Sequence, residues 1–138
     1  SLFFRPGPGV ALLMERIDEA VRAYISDLPN DLNHPLIRHV PDRWRLSGWS
    51  VTLEPHGFQT SHIGVEGWLG GLYAVEPRNG IVEFGAPPEN WSFSVAPPLK
   101  SFEFVRGQLM LFPSYVYRRL PATGVTRCYI AFEIVAEG

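Results

Sequence analysis

Short apolar segments separated by turn residues fill the chain from Trp44 to its C-terminal residues. Thirteen Gly and thirteen Pro among 138 residues imply many turns and short elements, as in an all-β body. The predicted strands are 45–54, 57–63, 69–75, 80–84, 91–95, 101–106, 108–112, 115–119 and 126–135. Short antiparallel strands in this number favour a double-sheet jelly roll or a barrel. We therefore expect a mainly β domain.

One amphipathic helix precedes these strands. Its apolar residues recur at helical spacing: Leu13, Ile17, Ala20, Val21, Tyr24, Ile25 and Leu28. Pro29 ends this pattern, so we predict a helix over 10–28 that packs its apolar face on a sheet. Residues 1–9 form a Pro/Gly-rich lead-in, and 30–43 have the composition of a loop. Residues 10–138 are predicted to be a single domain.

Composition narrows the classes of partner. Hydrophobic residues make up 46% and charged residues 19% of the chain, as in globular proteins with a packed core. The net charge is −2 and no basic run occurs, which argues against nucleic acid or an anionic membrane as partner. No apolar segment approaches the ~20 residues that span a bilayer. The single cysteine, Cys128, cannot form an internal disulfide, so we expect a reducing cytoplasm.

Alternation along the last predicted strand assigns its side chains to two faces. Its apolar face is expected to lie in the core or against the helix, and it comprises Cys128, Ile130, Phe132 and Ile134. The amphipathic face is suited to line a cavity, and it comprises Arg127, Tyr129, Ala131 and Glu133. On an earlier strand, the same alternation places Thr60, His62 and Gly64 on one face.

Three stretches of the chain carry a family resemblance. The first runs from Gly57 to Tyr73 and includes His62-Ile63-Gly64 and Gly67-Trp68-Leu69-Gly70-Gly71-Leu72-Tyr73. The second runs from Gly107 to Arg118, and the third is Arg127-Cys128-Tyr129-Ile130-Ala131-Phe132. Over residues 10–136 the chain resembles the 2-oxoglutarate/Fe(II)-dependent oxygenases found next to tetratricopeptide-repeat regions. The resemblance implies a double-stranded β-helix, a cupin-like jelly roll.

The resemblance also implies where metal ligands would lie. The family reads His-x-His-Pro-x-Gly-Trp-Leu-Ser-Gly-x-Tyr-Tyr in the first stretch, which makes His62 the remaining metal ligand and puts Gly64 at the second position. Arg118 stands where the family has its distal His, and Arg is a poor ligand because it stays cationic. A related halogenase also has a small residue at the second position, but it needs a distal His, and no His follows His62. We therefore expect no Fe(II) in the purified protein and favour an ordinary hydrogen-bonded sheet histidine.

Arg127 is the best-preserved site residue of the resemblance. It matches the family's Arg in Arg-x-x-x-Ala-Phe, which binds the distal carboxylate of 2-oxoglutarate through a bidentate guanidinium. An equally weighted interpretation is an internal ion pair between Arg127 and Glu133 or Glu83. If the resemblance holds, 2-oxoglutarate binds weakly through Arg127.

Aromatic and basic residues complete the predicted site. By resemblance, Tyr73 is a second cofactor-binding residue, and Arg118, Trp68 and Tyr115 line the pocket. The alternatives are a core position for the aromatic residues and a solvated rim for Arg118. We expect His62, Arg118 and Arg127 to converge on one cavity.

Two functions remain open from the sequence. The first is an oxygenase-like domain that has lost catalysis and binds a small carboxylate or a protein partner. The alternative is an active 2-oxoglutarate/Fe(II)-dependent dioxygenase with an unusual ligand set, in which Glu66 or Glu83 supplies a carboxylate. Metal binding would distinguish them.

Overall fold

The computed structural model describes residues 1–76, 80–85 and 99–137. Its helices are α1, Pro8–Asp27, and α2, Pro35–Arg38. Its strands are β1 (Arg43–Leu53), β2 (Gln59–His62), β3 (Leu69–Glu76), β4 (Ile81–Phe84), β5 (Lys100–Glu103), β6 (Leu109–Pro113), β7 (Arg118–Leu120) and β8 (Arg127–Glu137). The strand predicted at 91–95 lies outside the described residues.

The strands form two antiparallel sheets of four. The helix-side sheet has the order β1-β8-β3-β6, and the outer sheet has the order β2-β7-β4-β5. The longest ladder joins β1 to β8 and pairs Arg43 with Glu137 at one end and Leu53 with Arg127 at the other. The predicted mainly β fold with an N-terminal helix is confirmed.

Helix α1 forms where the apolar spacing predicts it. Pro8 occupies the first turn, where its missing N–H costs nothing. Leu13, Ile17 and Val21 recur every four residues and are buried against the helix-side sheet. In the described part of the chain, no helix is long and apolar enough to cross a membrane.

The residues before α1 belong to the packed structure. The Leu2 N–H donates to the Gly48 carbonyl at 2.9 Å. Phe3 is buried, and its ring meets the Phe132 ring edge-on with centroids 6.4 Å apart. The predicted lead-in therefore covers part of the helix-side core.

Helix α2 is a single turn inside the segment predicted as loop, so that prediction is wrong over 35–38. Pro35 again begins the helix, and Nδ1 of His34 accepts a hydrogen bond from the Leu36 N–H at 3.2 Å. Leu36 is buried in the same core as α1. One buried side chain and a local cap stabilise a turn too short for a periodic signal.

Two apolar cores divide the fold into layers. One lies between α1 and the helix-side sheet, and it contains Ile130, Phe132 and Ile134 of β8. The other lies between the sheets, and it includes Tyr129 and Ala131 of the opposite face. The predicted alternation along β8 is confirmed for these residues.

Candidate functional site

A cavity of about 380 Å³ opens between the two sheets. We call it the inter-sheet cavity. Its walls come from β1, β8, β3 and β6 on one side and from β2 and β7 on the other, and the loop after β2 covers it. Its apolar lining includes Trp49, Val51, Ile63, Val65, Phe112 and Leu120. Its charged or polar side chains are Gln59, His62, Arg118 and Glu133.

Arg118 is a buried cation in this cavity, with 8% of its surface exposed. Nη1 donates to the carbonyls of Ser114 at 3.1 Å and Val116 at 3.4 Å. The guanidinium lies over the Phe112 ring, 4.9 Å from its centroid. Within the described residues, Nε and Nη2 make no hydrogen bond. Those two donors are therefore available to a ligand.

Glu133 brings the opposite charge to the same cavity. Its Oε1 accepts a hydrogen bond from the Gly67 N–H at 3.2 Å. Burial lowers the pKa of the Arg118 guanidinium, whereas the Glu133 carboxylate raises it. Arginine remains charged at neutral pH, since it is not deprotonated in proteins. Among the ion pairs of the described residues, none joins Arg118 to Glu133.

His62 lines the cavity but is exposed. It faces Arg118 across the β2–β7 ladder. Its Nδ1 lies 2.9 Å from the Thr60 carbonyl, which can only accept, so that geometry assigns the proton to Nδ1. This contact is the kind of hydrogen bond that we expected for an ordinary histidine in a sheet.

Gly64 occupies a closed position. Its N–H donates to the Ser114 carbonyl at 2.8 Å. The Glu133 carboxylate lies against its Cα, so a Cβ there would overlap Oε1 of Glu133. The position that the resemblance gives to the second metal ligand therefore lacks a side chain, and a side chain introduced there would require Glu133 to move.

The donor set around His62 does not fit the iron site of the oxygenases that the chain resembles. Over the described ranges, no three His, Cys, Asp or Glu side chains come together as a metal-binding group. Glu66 is exposed. Glu83 pairs instead with Arg119, whose Nη2 lies 2.8 Å from Oε2. Arg118, which the resemblance aligns with the distal ligand, brings a positive charge to this cavity instead of a donor.

Arg127 lies away from the inter-sheet cavity and is fully buried. Its guanidinium donates to four backbone carbonyls: Val125 at 3.0 Å, Pro121 at 2.5 Å, Glu54 at 3.0 Å and Gly57 at 2.8 Å. It takes part in no ion pair among the described residues. The internal ion pair with Glu133 or Glu83 is therefore absent from the described structure, and the partners of Arg127 are backbone carbonyls.

Distance along β8 separates Arg127 from the cavity. Arg127 begins the strand, and Glu133 follows six residues later, about 20 Å away at about 3.3 Å per residue. The cavity lining includes His62 and Arg118 but not Arg127. The structure thus brings two of the three predicted residues together.

The predicted aromatic residues lie elsewhere. Trp68 is buried and donates from Nε1 to the Leu36 carbonyl at 2.8 Å. Tyr73 faces α1 and lines a separate groove of about 680 Å³. Tyr115 is 53% exposed and is not among the residues that line the inter-sheet cavity. Trp68 therefore has the core position weighed as its alternative.

Other cavity residues were not predicted as site residues. Glu133 was assigned to the amphipathic face of the last strand, but its contacts with the loop after β2 depend on tertiary structure. Alternation along their strands predicts which face of the strand Trp49 and Gln59 occupy. It does not predict which residues of other strands lie opposite them. The sequence signal that could have identified Glu133 as a cavity residue is its charge on the inward face of the last strand.

Comparisons with known proteins leave the family open. No protein-family model matches the chain, and no curated protein matches it. Among solved structures, the crystal structure of protein NMB1881 from Neisseria meningitidis is similar with a TM-score of 0.40 and 12% sequence identity. That match covers 83% of this chain and 95% of that chain. The oxygenase resemblance therefore rests on the three motif stretches.

Proposed function

We propose that this chain is a double-stranded β-helix domain that binds a small carboxylate in its inter-sheet cavity and does not perform oxygenase chemistry. The strand orders β1-β8-β3-β6 and β2-β7-β4-β5 support the fold. Consecutive strands lie in different sheets except β4 and β5, which are neighbours in one sheet. This order supports the two Greek keys of an eight-stranded jelly roll.

The observation that carries the ligand class is the buried guanidinium of Arg118. It faces a largely apolar cavity with Nε and Nη2 unbonded within the described residues. Arginine recognises carboxylates through paired, charge-assisted hydrogen bonds. A buried charge without such partners is costly, so a carboxylate ligand would stabilise this arrangement.

The absence of oxygenase chemistry follows in this proposal from the donor set. Such an oxygenase needs two His and usually a carboxylate on one face of the metal. Gly64 contributes no donor, and Arg118 contributes a positive charge. Arg127, which would hold 2-oxoglutarate in the family, donates to four backbone carbonyls.

A carboxylate titration tests the binding site. We expect 3-phenylpropionate to shift the NMR signals of cavity residues such as Trp49 and Gly64. Arg118→Met should abolish those shifts, and Arg118→Lys should weaken them because it keeps the charge but loses the fork. Arg119→Met is the matched control, since Arg119 lies next in sequence but pairs with Glu83. Shifts that persist in a folded Arg118→Met protein would overturn the proposal.

A turnover assay tests the chemistry. We expect no succinate from 2-oxoglutarate with Fe(II) and ascorbate. Gly64→His with Arg118→His would restore two ligands of the resembled site, and adding Glu133→Ala would free the space beside Gly64 that Oε1 of Glu133 occupies. Succinate formation by the unmodified chain would instead establish the dioxygenase alternative.

A further inference from the structure

Two opposite charges, Arg118 and Glu133, face the inter-sheet cavity without a direct ion pair between them among the described residues. Arg118 is held by the carbonyls of Ser114 and Val116, and Glu133 is held by the N–H of Gly67. Within the described residues they form no ion pair. Opposite charges in a protein interior usually pair, because each pays a desolvation cost that the partner offsets. Here each charge has its own backbone contacts instead.

A ligand with both charges would satisfy both groups. A simple carboxylate would reach Arg118 but would leave the Glu133 charge unmatched. A dicarboxylate would in addition place a second negative charge in a cavity that already contains Glu133. An α-amino acid carries its carboxylate and its ammonium on one carbon, so it can bridge two groups that are too far apart to pair directly.

The walls indicate the rest of the ligand. Phe112, Val51 and Leu120 give the cavity an apolar interior, and Trp49 stands at its opening with 60% of its surface exposed. The volume of about 380 Å³ falls in the lower range of small-molecule sites. An apolar side chain would cover surface that water now contacts.

We infer that the inter-sheet cavity binds a free α-amino acid with an apolar side chain, its carboxylate on Arg118 and its ammonium group on Glu133. The inference rests on the proposed carboxylate site. It adds that the ligand also has a positively charged ammonium group and an apolar side chain. Gln59 and His62 lie at the same cavity and offer further polar contacts at its opening.

Calorimetry with three related probes tests the ligand class. Phenylalanine carries both charges, 3-phenylpropionate lacks the ammonium group, and phenethylamine lacks the carboxylate. We expect phenylalanine to bind at least about tenfold more tightly than either, since a charge-assisted hydrogen bond contributes about that much.

Charge-removing variants locate the two ends of the ligand. Glu133→Gln keeps an acceptor for the Gly67 N–H and should weaken phenylalanine about tenfold while leaving 3-phenylpropionate unweakened. Arg118→Met should weaken both. Glu83→Gln is the control, because that carboxylate lies outside the cavity lining and should change neither affinity.

The outcomes separate this inference from the proposed function. If 3-phenylpropionate binds as tightly as phenylalanine, the ammonium group contributes nothing to binding. The inferred amino-acid ligand is then wrong, whereas the proposed carboxylate site is supported. If neither binds, both fail. An unchanged phenylalanine affinity in Glu133→Gln would also overturn the assignment of the ammonium group.

Discussion

Arg127 joins two loops that are distant in sequence. Through Nη2 it contacts the carbonyls of Glu54 and Gly57 after β1, and through Nε and Nη1 it contacts Val125 and Pro121 before β8. A buried charge is tolerated here because carbonyl oxygens surround it. Its role in the described structure is to hold these two loops together at the start of β8.

Replacing Arg127 should therefore affect folding. We expect Arg127→Met to lower the free energy of unfolding by roughly 3–5 kcal/mol, because four carbonyls lose their donor in a buried site. Urea denaturation would measure this. Arg119→Met, which removes a partly exposed ion pair, should cost about 1 kcal/mol or less. A stable Arg127→Met protein that no longer binds carboxylates would instead place Arg127 in the ligand site.

A second prediction at the residue scale concerns the effect of replacing Gly64 on the free energy of unfolding. We expect Gly64→Ala to destabilise the fold by about 1 kcal/mol, because the flexible end of the Glu133 side chain would have to shift from the new Cβ and would weaken its hydrogen bond with the Gly67 N–H. The cost should fall when the same change is made with Glu133→Ala, and a double-mutant cycle measured by urea denaturation would show that coupling. Gly9→Ala is the control, since nothing lies within 4 Å of a Cβ there.

Sequence reasoning reached some of these residues and not others. Strand alternation and the family resemblance together predicted His62 and Arg118 at one cavity, and both line the inter-sheet cavity. The partners of Arg127 could not be foreseen, since Glu54 is 73 residues away and contributes only its carbonyl. The closure of Gly64 by Glu133 likewise depends on two segments that meet only in the folded chain.

At the scale of elements, helix α1 and the long strands were predictable from periodicity. Short elements were not: β7 covers Arg118–Leu120, whereas the prediction was 115–119, and α2 was taken as loop. Three or four residues contain too little alternation to define a period. Their ends are set instead by contacts such as the Leu36 side chain in the helix-side core.

The packing of α1 on its sheet gives a prediction at this scale. Ile17 is fully buried between the helix and the sheet, so Ile17→Ala should lower the free energy of unfolding by about 2–5 kcal/mol. Leu12 lies on the same helix with 54% of its surface exposed, and Leu12→Ala should cost about 0.5 kcal/mol or less. Chemical denaturation of the two variants would compare the faces. Equal costs would contradict the packing described for α1.

For the whole molecule, stability should fall in alkaline solution. Burial raises the pKa of Tyr129, an effect that the positive charge of Arg127 partly opposes. A raised pKa in the folded state gives stability that is complete below the ordinary tyrosine value of about 10. That stability is lost as the pH rises through the folded-state pKa.

Tyr129→Phe should reduce that alkaline loss. Its hydroxyl is buried and has no hydrogen-bond partner among the described residues, so its removal at neutral pH should be neutral or stabilise by about 1 kcal/mol. Unfolding curves at neutral pH and above about pH 10 would measure both effects. Tyr115→Phe, at an exposed position, serves as the control and should leave the pH dependence unchanged.

The position of β8 sets when this molecule can fold. That strand follows every other described element in the chain, yet it lies between β1 and β3 in the helix-side sheet. Until β8 has been synthesised, β1 has no partner strand in that sheet and β3 is paired only with β6. Pairings across such sequence distances form slowly. A ribosome-bound chain that stops before Arg127 exposes two unpaired strand edges, so it depends on rapid completion or on chaperones to avoid aggregation.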